Sequence, residues 1–255
     1  MDNIFNEKIE TCDDFLGGKL RLIQPINGYR AGVDPVLLAA ALPNDAKGRL
    51  LDLGCGVGTS GLCALWRNPK LTMVGIEGDE DAAKRCTRNA ILNRMEDRVI
   101  VHHQQLGNAE FIDPLKGEEV DIVMTNPPWF EPAHSQKAQG SRGNGRQEGD
   151  INLDDWLDYG LRKLRTGGLI AIIHRANRSD DILRIFTNRV GNIKLIPIWS
   201  KKNQPAKHVI ILGNKARKTP MRIMSGCVMH SDDGAFLPHA KDIFMKGSPL
   251  YYGEE

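Results

Sequence analysis

The tetrapeptide Asn126-Pro127-Pro128-Trp129 carries the most explicit chemistry in this chain. It follows the apolar run Val120-Asp121-Ile122-Val123-Met124-Thr125, so it stands at the end of a buried strand. Two prolines cannot extend a strand ladder, and they lock φ, so the carbonyl groups there have set directions. An exocyclic amine has two N–H bonds, and the Asn126 side-chain oxygen and the Pro127 carbonyl can accept both. That favours a pyramidal nitrogen whose lone pair faces an incoming methyl carbon. Trp129, or Phe130 beside it, offers an aromatic face on which a flat ring can stack. No metal or general base is required, because the proton leaves once the nitrogen is cationic, and positioning supplies most of the rate. The plainer reading of the same four residues is a strand-ending turn closed by an aromatic plug.

A second constellation lies upstream, at Leu51-Asp52-Leu53-Gly54-Cys55-Gly56-Val57-Gly58-Thr59. A strand, a turn of the form Asp-x-Gly-x-Gly-x-Gly and a helix make a nucleotide-binding arrangement. Glycines let the backbone approach a ligand, and the helix N-terminus presents free N–H groups. Glu77, ending the next strand, can accept hydrogen bonds from both ribose hydroxyls. Dinucleotide-binding dehydrogenases share this pattern. The leading Asp52 tips it toward S-adenosylmethionine, whose amino group it can meet, whereas a pyrophosphate would be repelled. Gly54, Gly56 and Glu77 complete the expected cofactor set. Together the two motifs fit transfer of a methyl group from S-adenosylmethionine to a planar nitrogen.

These groups need a scaffold that aligns strand ends, and the chain alternates accordingly. Apolar strands are expected at 49–53, 71–76, from 99, at 120–124, 169–173, 194–199 and 208–212. Helices are expected at 59–67, 79–95, 153–164 and 179–190. Asp79 can cap the second helix, with Ala82, Ala83, Cys86, Ala90 and Ile91 at helical spacing, and Gly167-Gly168 should end the third. Such alternation means an α/β fold with a mostly parallel sheet covered on both faces. Residues 131–149 read as a loop, and the tail beyond Met221 as a small β addition.

The residues now carry a resemblance. The chain resembles class I S-adenosylmethionine-dependent methyltransferases of the Asn-Pro-Pro-aromatic group, and within it the bacterial tRNA (valine) adenine-N6 methyltransferases. The resemblance covers roughly residues 14–215 and includes the stretch from Gln24 to Leu38. It implies a Rossmann-like seven-stranded sheet with short additions at both ends. Residues 1–48 would be an extension closing over the cofactor, 49–215 the methyltransferase domain and 216–255 a C-terminal addition. It implies that Arg30 and Asp34 line the pocket, Asp34 near the target amine; Asp34-Pro35 equally reads as a helix cap with proline in the first turn. Trp129 departs from the usual Tyr of adenine-specific members. The acid that commonly reads the cofactor's adenine is missing after the third strand, leaving Gln104 or Gln105 to do so.

Composition bounds the rest. At 41% apolar and 26% charged, the 255 residues fit one soluble domain with additions. No run approaches the roughly 20 apolar residues of a membrane span, and the N-terminus lacks signal-peptide features, so a cytoplasmic protein without a membrane partner is expected. Five cysteines without Cys-x-x-Cys spacing read as reduced thiols, and His102-His103 lack companion ligands, so no metal is expected. No acidic residue lies between Asp181 and Asp232, while ten basic ones do. That one-signed stretch suits RNA, with tRNA the expected partner. Lys137, Arg142 and Arg146 in the loop, and Arg175 and Arg178 after the fifth strand, are the expected phosphate contacts, with Phe130 against the base. Solvated surface charge is the bland reading of all of them. The expected activity is methylation of an exocyclic amine of RNA, adenine N6 of tRNA first. The alternatives are a guanine amine of ribosomal RNA, a protein glutamine amide, a non-catalytic RNA-binding module and a nicotinamide-dependent oxidoreductase.

Overall fold

The computed structural model describes residues 6–128 and 151–253. Its centre is a nine-stranded sheet. The strands are β3 (Gly48–Leu53), β4 (Leu71–Glu77), β5 (Val99–His103), β6 (Val120–Thr125), β7 (Leu164–Arg175), β8 (Val190–Trp199) and β9 (His208–Lys215), with two-residue β10 (Arg222–Ile223) and β11 (Cys227–Val228). They lie in the order β5-β4-β3-β6-β7-β9-β8, and β10 and β11 both pair with β8. Only β9 runs antiparallel to its neighbours. The seven expected strands are therefore present, and the tail adds its two short strands at one edge.

Both faces of the sheet are buried, which is why its strands read as continuous apolar runs. The side chains nonetheless alternate between two cores, as the pleat requires. Leu50, Met73, Ile122, Met124, Ala171 and Ile173 enter one apolar cluster. Leu51, Val74, Val123, Ile170 and Ile172 enter the other. The first face is covered by α1 (Asp34–Ala40), α2 (Thr59–Arg67) and α3 (Glu80–Leu92), with α6 (Pro238–Lys246) against α1. The second is covered by α4 (Leu153–Lys163) and α5 (Ser179–Phe186).

Two chain ends close the first face. A hairpin of β1 (Glu10–Phe15) and β2 (Leu20–Pro25) forms its own small sheet, and Glu10 pairs with both Arg85 and Arg88 of α3. From the other terminus, the Leu250 N–H donates to the Ala40 carbonyl at 2.8 Å, and Arg67 Nε donates to the Gly247 carbonyl at 3.1 Å.

Three local expectations change. Gly167-Gly168 does not end α4; it forms a bulge inside β7, where pairing with β6 shifts between Val120/Leu164 and Ile122/Leu169. Gly167 has φ +76°, and a Cβ on Gly168 would stand 2.6 Å from the Leu164 side chain. The glycines thus let the strand absorb an extra stretch while Leu164 stays fully buried. Asp34 does not cap α1: it is the first helical residue, Val33 occupies the cap, and no side chain bonds there. Ile91, placed on the buried stripe of α3 by its spacing, is 48% exposed, whereas Asn89 on that stripe is fully buried.

Candidate active site

The parallel strands β3, β4, β6 and β7 end at one edge of the sheet, and the two motifs meet there. Leu53 pairs with Thr125, so the turn after β3 and Asn126 after β6 leave adjacent strands at the same level. Thr125 fixes that level. Its hydroxyl donates to the Leu53 carbonyl at 2.7 Å and accepts from the Trp156 indole N–H at 3.0 Å. Pro127 is buried and Asn126 and Pro128 are half-buried. Trp129, Phe130, Lys137, Arg142 and Arg146 lie outside the described residues.

The glycine turn uses its residues differently. Gly54, Gly56 and Gly58 all have positive φ, at +73°, +55° and +90°. A Cβ on Gly58 would meet the Cys86 sulfur at 2.6 Å, so that glycine is needed for packing. A Cβ on Gly56 would meet nothing within 4 Å, so the backbone there borders open space. The first-turn hydroxyl of Thr59 is buried with no partner among the described residues.

Two carboxylates lie beneath the turn. Glu77 at the end of β4 is fully buried. It accepts the Gly56 N–H and the Asp79 N–H, both at 2.8 Å, so it holds the loops after β3 and β4 together. Asp52 is 1% exposed and accepts the Gly61 N–H at 3.0 Å. Burial pushes its carboxyl up to about 7, the Gly61 hydrogen bond opposes this, and the Glu77 charge adds to it. Two acids buried this close to one another favour a positively charged ligand over an anionic one.

Arg30 donates to Asp13 at 2.6 Å, Thr11 at 2.8 Å and the Pro25 carbonyl at 3.0 Å, which ties the segment before α1 to the hairpin. The Gln104 side-chain oxygen accepts the Ile112 N–H at 3.1 Å. Arg175 ends β7, in register with His208 at the start of β9. Asp34 faces that histidine across 3.8 Å, and burial raises its carboxyl while His208 pulls it down. His174 is buried, accepts the Arg175 N–H at Nδ1 and has no partner at Nε2 among the described residues. Burial, reinforced by Arg178, lowers it to about 4, so it is neutral at pH 7. His102-His103 gather no ligand group: no cluster of three potential metal ligands occurs among the described residues.

Sequence reasoning missed two contributors. Asn89 in α3 donates to the Val57 carbonyl at 2.9 Å and exchanges hydrogen bonds with both backbone groups of Ile23. It therefore joins the glycine turn to the N-terminal hairpin, and the signal was a polar residue three positions after buried Cys86. His208 was missed because it heads an apolar strand with no motif around it; only the antiparallel return of β9 brings it to this edge.

The methyltransferase small domain family matches residues 31–142. A tRNA1(Val) (adenine(37)-N6)-methyltransferase of Yersinia enterocolitica is 23% identical over 212 residues, 82% of each chain. Its counterpart from Yersinia pseudotuberculosis is 28% identical over 145 residues, 56% of each chain. Among solved structures, a predicted O-methyltransferase of Agrobacterium tumefaciens superposes with a TM-score of 0.68 at 21% identity, covering 86% of this chain and 98% of that one. A T. thermophilus 16S rRNA N2 methyltransferase, solved with AdoMet and guanosine, gives 0.55 at 16% identity, covering 81% and 50%. At these identities the structural likeness speaks for the fold.

Proposed function

Because this chain is a class I S-adenosylmethionine-dependent N-methyltransferase resembling the tRNA1(Val) adenine-N6 enzymes, we propose that it methylates an exocyclic amine of RNA, adenine N6 of tRNA in particular. The observation that carries the reading is the register Leu53↔Thr125, which sets Asn126 beside the glycine turn. A methyl donor held at the turn and an amine held at Asn126 would be one strand spacing apart, about 4.8 Å.

The residues fit the donor. Open space at Gly56, the Thr59 hydroxyl, which has no partner among the described residues, and two buried acids make a cationic, nucleoside-bearing ligand welcome there. Gly54 and Gly56 would border it, Asp52 would face its amino group and Glu77, at the end of β4, its ribose. When bound, S-adenosylmethionine supplies an electrophilic methyl group on a sulfonium. Asn126 and the Pro127 carbonyl would take the two N–H bonds of the acceptor, and Pro128 would stiffen the segment that presents Trp129 and Phe130 to the base. Asp34, in this reading, lies close enough to the acceptor edge to limit what enters. Gln104 would read the adenine of the cofactor through the second lone pair of the oxygen that holds the Ile112 N–H. Arg30 would act through the hairpin it clamps. Arg142, Arg146 and Arg175 would meet the RNA backbone.

The test is transfer from tritiated-methyl S-adenosylmethionine into a cell extract, with label divided between RNase-sensitive and protease-sensitive material and nucleosides identified by mass spectrometry. N6-methyladenosine in the tRNA fraction is the expected product. Label in a methylated guanosine of ribosomal RNA would keep the chemistry and replace the substrate. Label confined to protein would overturn the RNA reading.

A further inference from the structure

The ten basic residues between Asp181 and Asp232 are not equivalent once folded. Arg184 and Arg189 are paired with Asp154 and Asp158 of α4, on the covered face of the sheet. Lys215 donates to the Leu164 carbonyl at the far edge. Lys201, Lys202 and Lys207 differ, because they lie in the connection from β8 to β9. β8 ends, and antiparallel β9 begins, at the edge where Asn126 and the glycine turn lie. Lys202 and Lys207 are exposed, and neither is within ion-pair distance of an acid among the described residues.

Beside them the tail supplies a ring. β11 continues β8 in parallel, and the His230 N–H and Nδ1 both engage the Ser200 carbonyl, at 2.9 and 3.1 Å. Phe236 stacks on His230 with centroids 4.5 Å apart and remains 43% exposed. Lys201 donates to the Asp232 carbonyl at 2.7 Å, which fastens this hairpin to the lysine loop. On the β4 side of the edge the first turn of α3 is acidic, with Asp79, Glu80 and Asp81, of which Glu80 is paired with Lys84.

We propose that the β8–β9 loop and the His230–Phe236 stack form a docking surface for the RNA substrate, so that the RNA lies across the β7-β9-β8 side of the acceptor pocket. The proposal rests on the RNA reading above. Lys202 and Lys207 meet phosphates, and Phe236 takes the face of an unpaired base, a division enforced by Asp232 and Asp233 beside the ring, which repel phosphate. From Asn126, Lys207 at the start of β9 is two strand spacings away, about 10 Å, Lys202 after β8 three, about 14 Å, and the stack four, about 19 Å. A single nucleoside cannot span that distance, whereas a folded RNA can. The surface therefore acts on RNA affinity and leaves the chemical step to the pocket.

The experiment measures binding of unfractionated tRNA by the full-length protein across a salt series, together with S-adenosylmethionine affinity. The variants are K202E/K207E, F236A and, as a control with the same change of charge at the other edge of the sheet, K70E/K116E. K202E/K207E is expected to weaken tRNA binding at least tenfold and to lower the slope of log K against log salt by about two. It should raise KM for tRNA with kcat at saturation and cofactor affinity unchanged. F236A should weaken binding severalfold at an unchanged slope. Equal losses in K202E/K207E and K70E/K116E, or no loss in either, would overturn the docking surface while leaving RNA methylation standing. No loss in F236A would remove the stacking half. If the unaltered protein labels only protein, the RNA reading fails and the surface with it.

Discussion

Asp52 is the residue whose state most depends on what occupies the turn. Its carboxyl, raised to about 7 by burial, keeps a proton that the unfolded chain sheds above its ordinary value of 3.8. Folding is therefore progressively penalised as pH rises from about 4 to about 7, by at most roughly 4 kcal/mol once the group is ionised. Asp52→Asn can keep the Gly61 hydrogen bond and removes that penalty. The variant should melt higher than the parent at pH 8, equal it at pH 4, and bind S-adenosylmethionine more weakly; an equal gain at both pH values would refute the account. His174 acts in the opposite sense. Lowered to about 4, it contributes stability that is complete above 6.5 and lost as pH falls through 4. At the acceptor side, Asn126→Ala should cut transfer at least about a hundredfold with cofactor affinity nearly unchanged. A parallel fall in cofactor binding would show that Asn126 serves the turn instead.

At the scale of elements, the glycine turn separates packing from binding. Gly58→Ala combines a φ of +90° with a Cβ 2.6 Å from the Cys86 sulfur. Strain and overpacking together should cost about 2–4 kcal/mol of stability. Gly56→Ala meets no atom within 4 Å, so about 1 kcal/mol of strain is its only structural cost. It should nevertheless weaken S-adenosylmethionine binding tenfold or more, read by calorimetry beside a melting curve. Equal effects of the two variants on binding would mean that the open space at Gly56 is not where the ligand lies.

For the whole molecule, the terminal additions belong to the packing of the sheet. Leu16, Leu20 and Leu22 from the hairpin, and Met229, Ala240, Ile243 and Leu250 from the tail, are buried in the same cluster as Leu50 and Met73. Each large apolar side chain contributes about 1.5–3 kcal/mol, and a domain has only about 5–15 kcal/mol in total. A chain ending after Lys218 should therefore fail to give a cooperative melting transition. A truncated protein melting within a few degrees of the full chain would show that the tail is dispensable. No helix among the described residues is long and apolar enough to cross a membrane.

The elements, and the residue types at their ends, are legible in short stretches of the chain. Apolar runs of strand length, helical spacing from Thr59 to Arg67, and Gly and Pro at the ends of β3 and β6 are local features, and local backbone preferences suffice to read them. The reach of β7 was not local: Gly167-Gly168 serves equally to stop a helix or to bulge a strand, and burial of Leu164 beside Val120 decided between them. Nor were the partners of charged groups. Arg30 is bound to Asp13, Gln104 to Ile112, and Asp34 to a histidine 174 positions later (208 − 34). Such meetings depend on strand order, with β6 beside β3 and β9 folded back between β7 and β8. That order is set by covering both sheet faces at once, a condition on the whole chain that no short stretch of sequence contains.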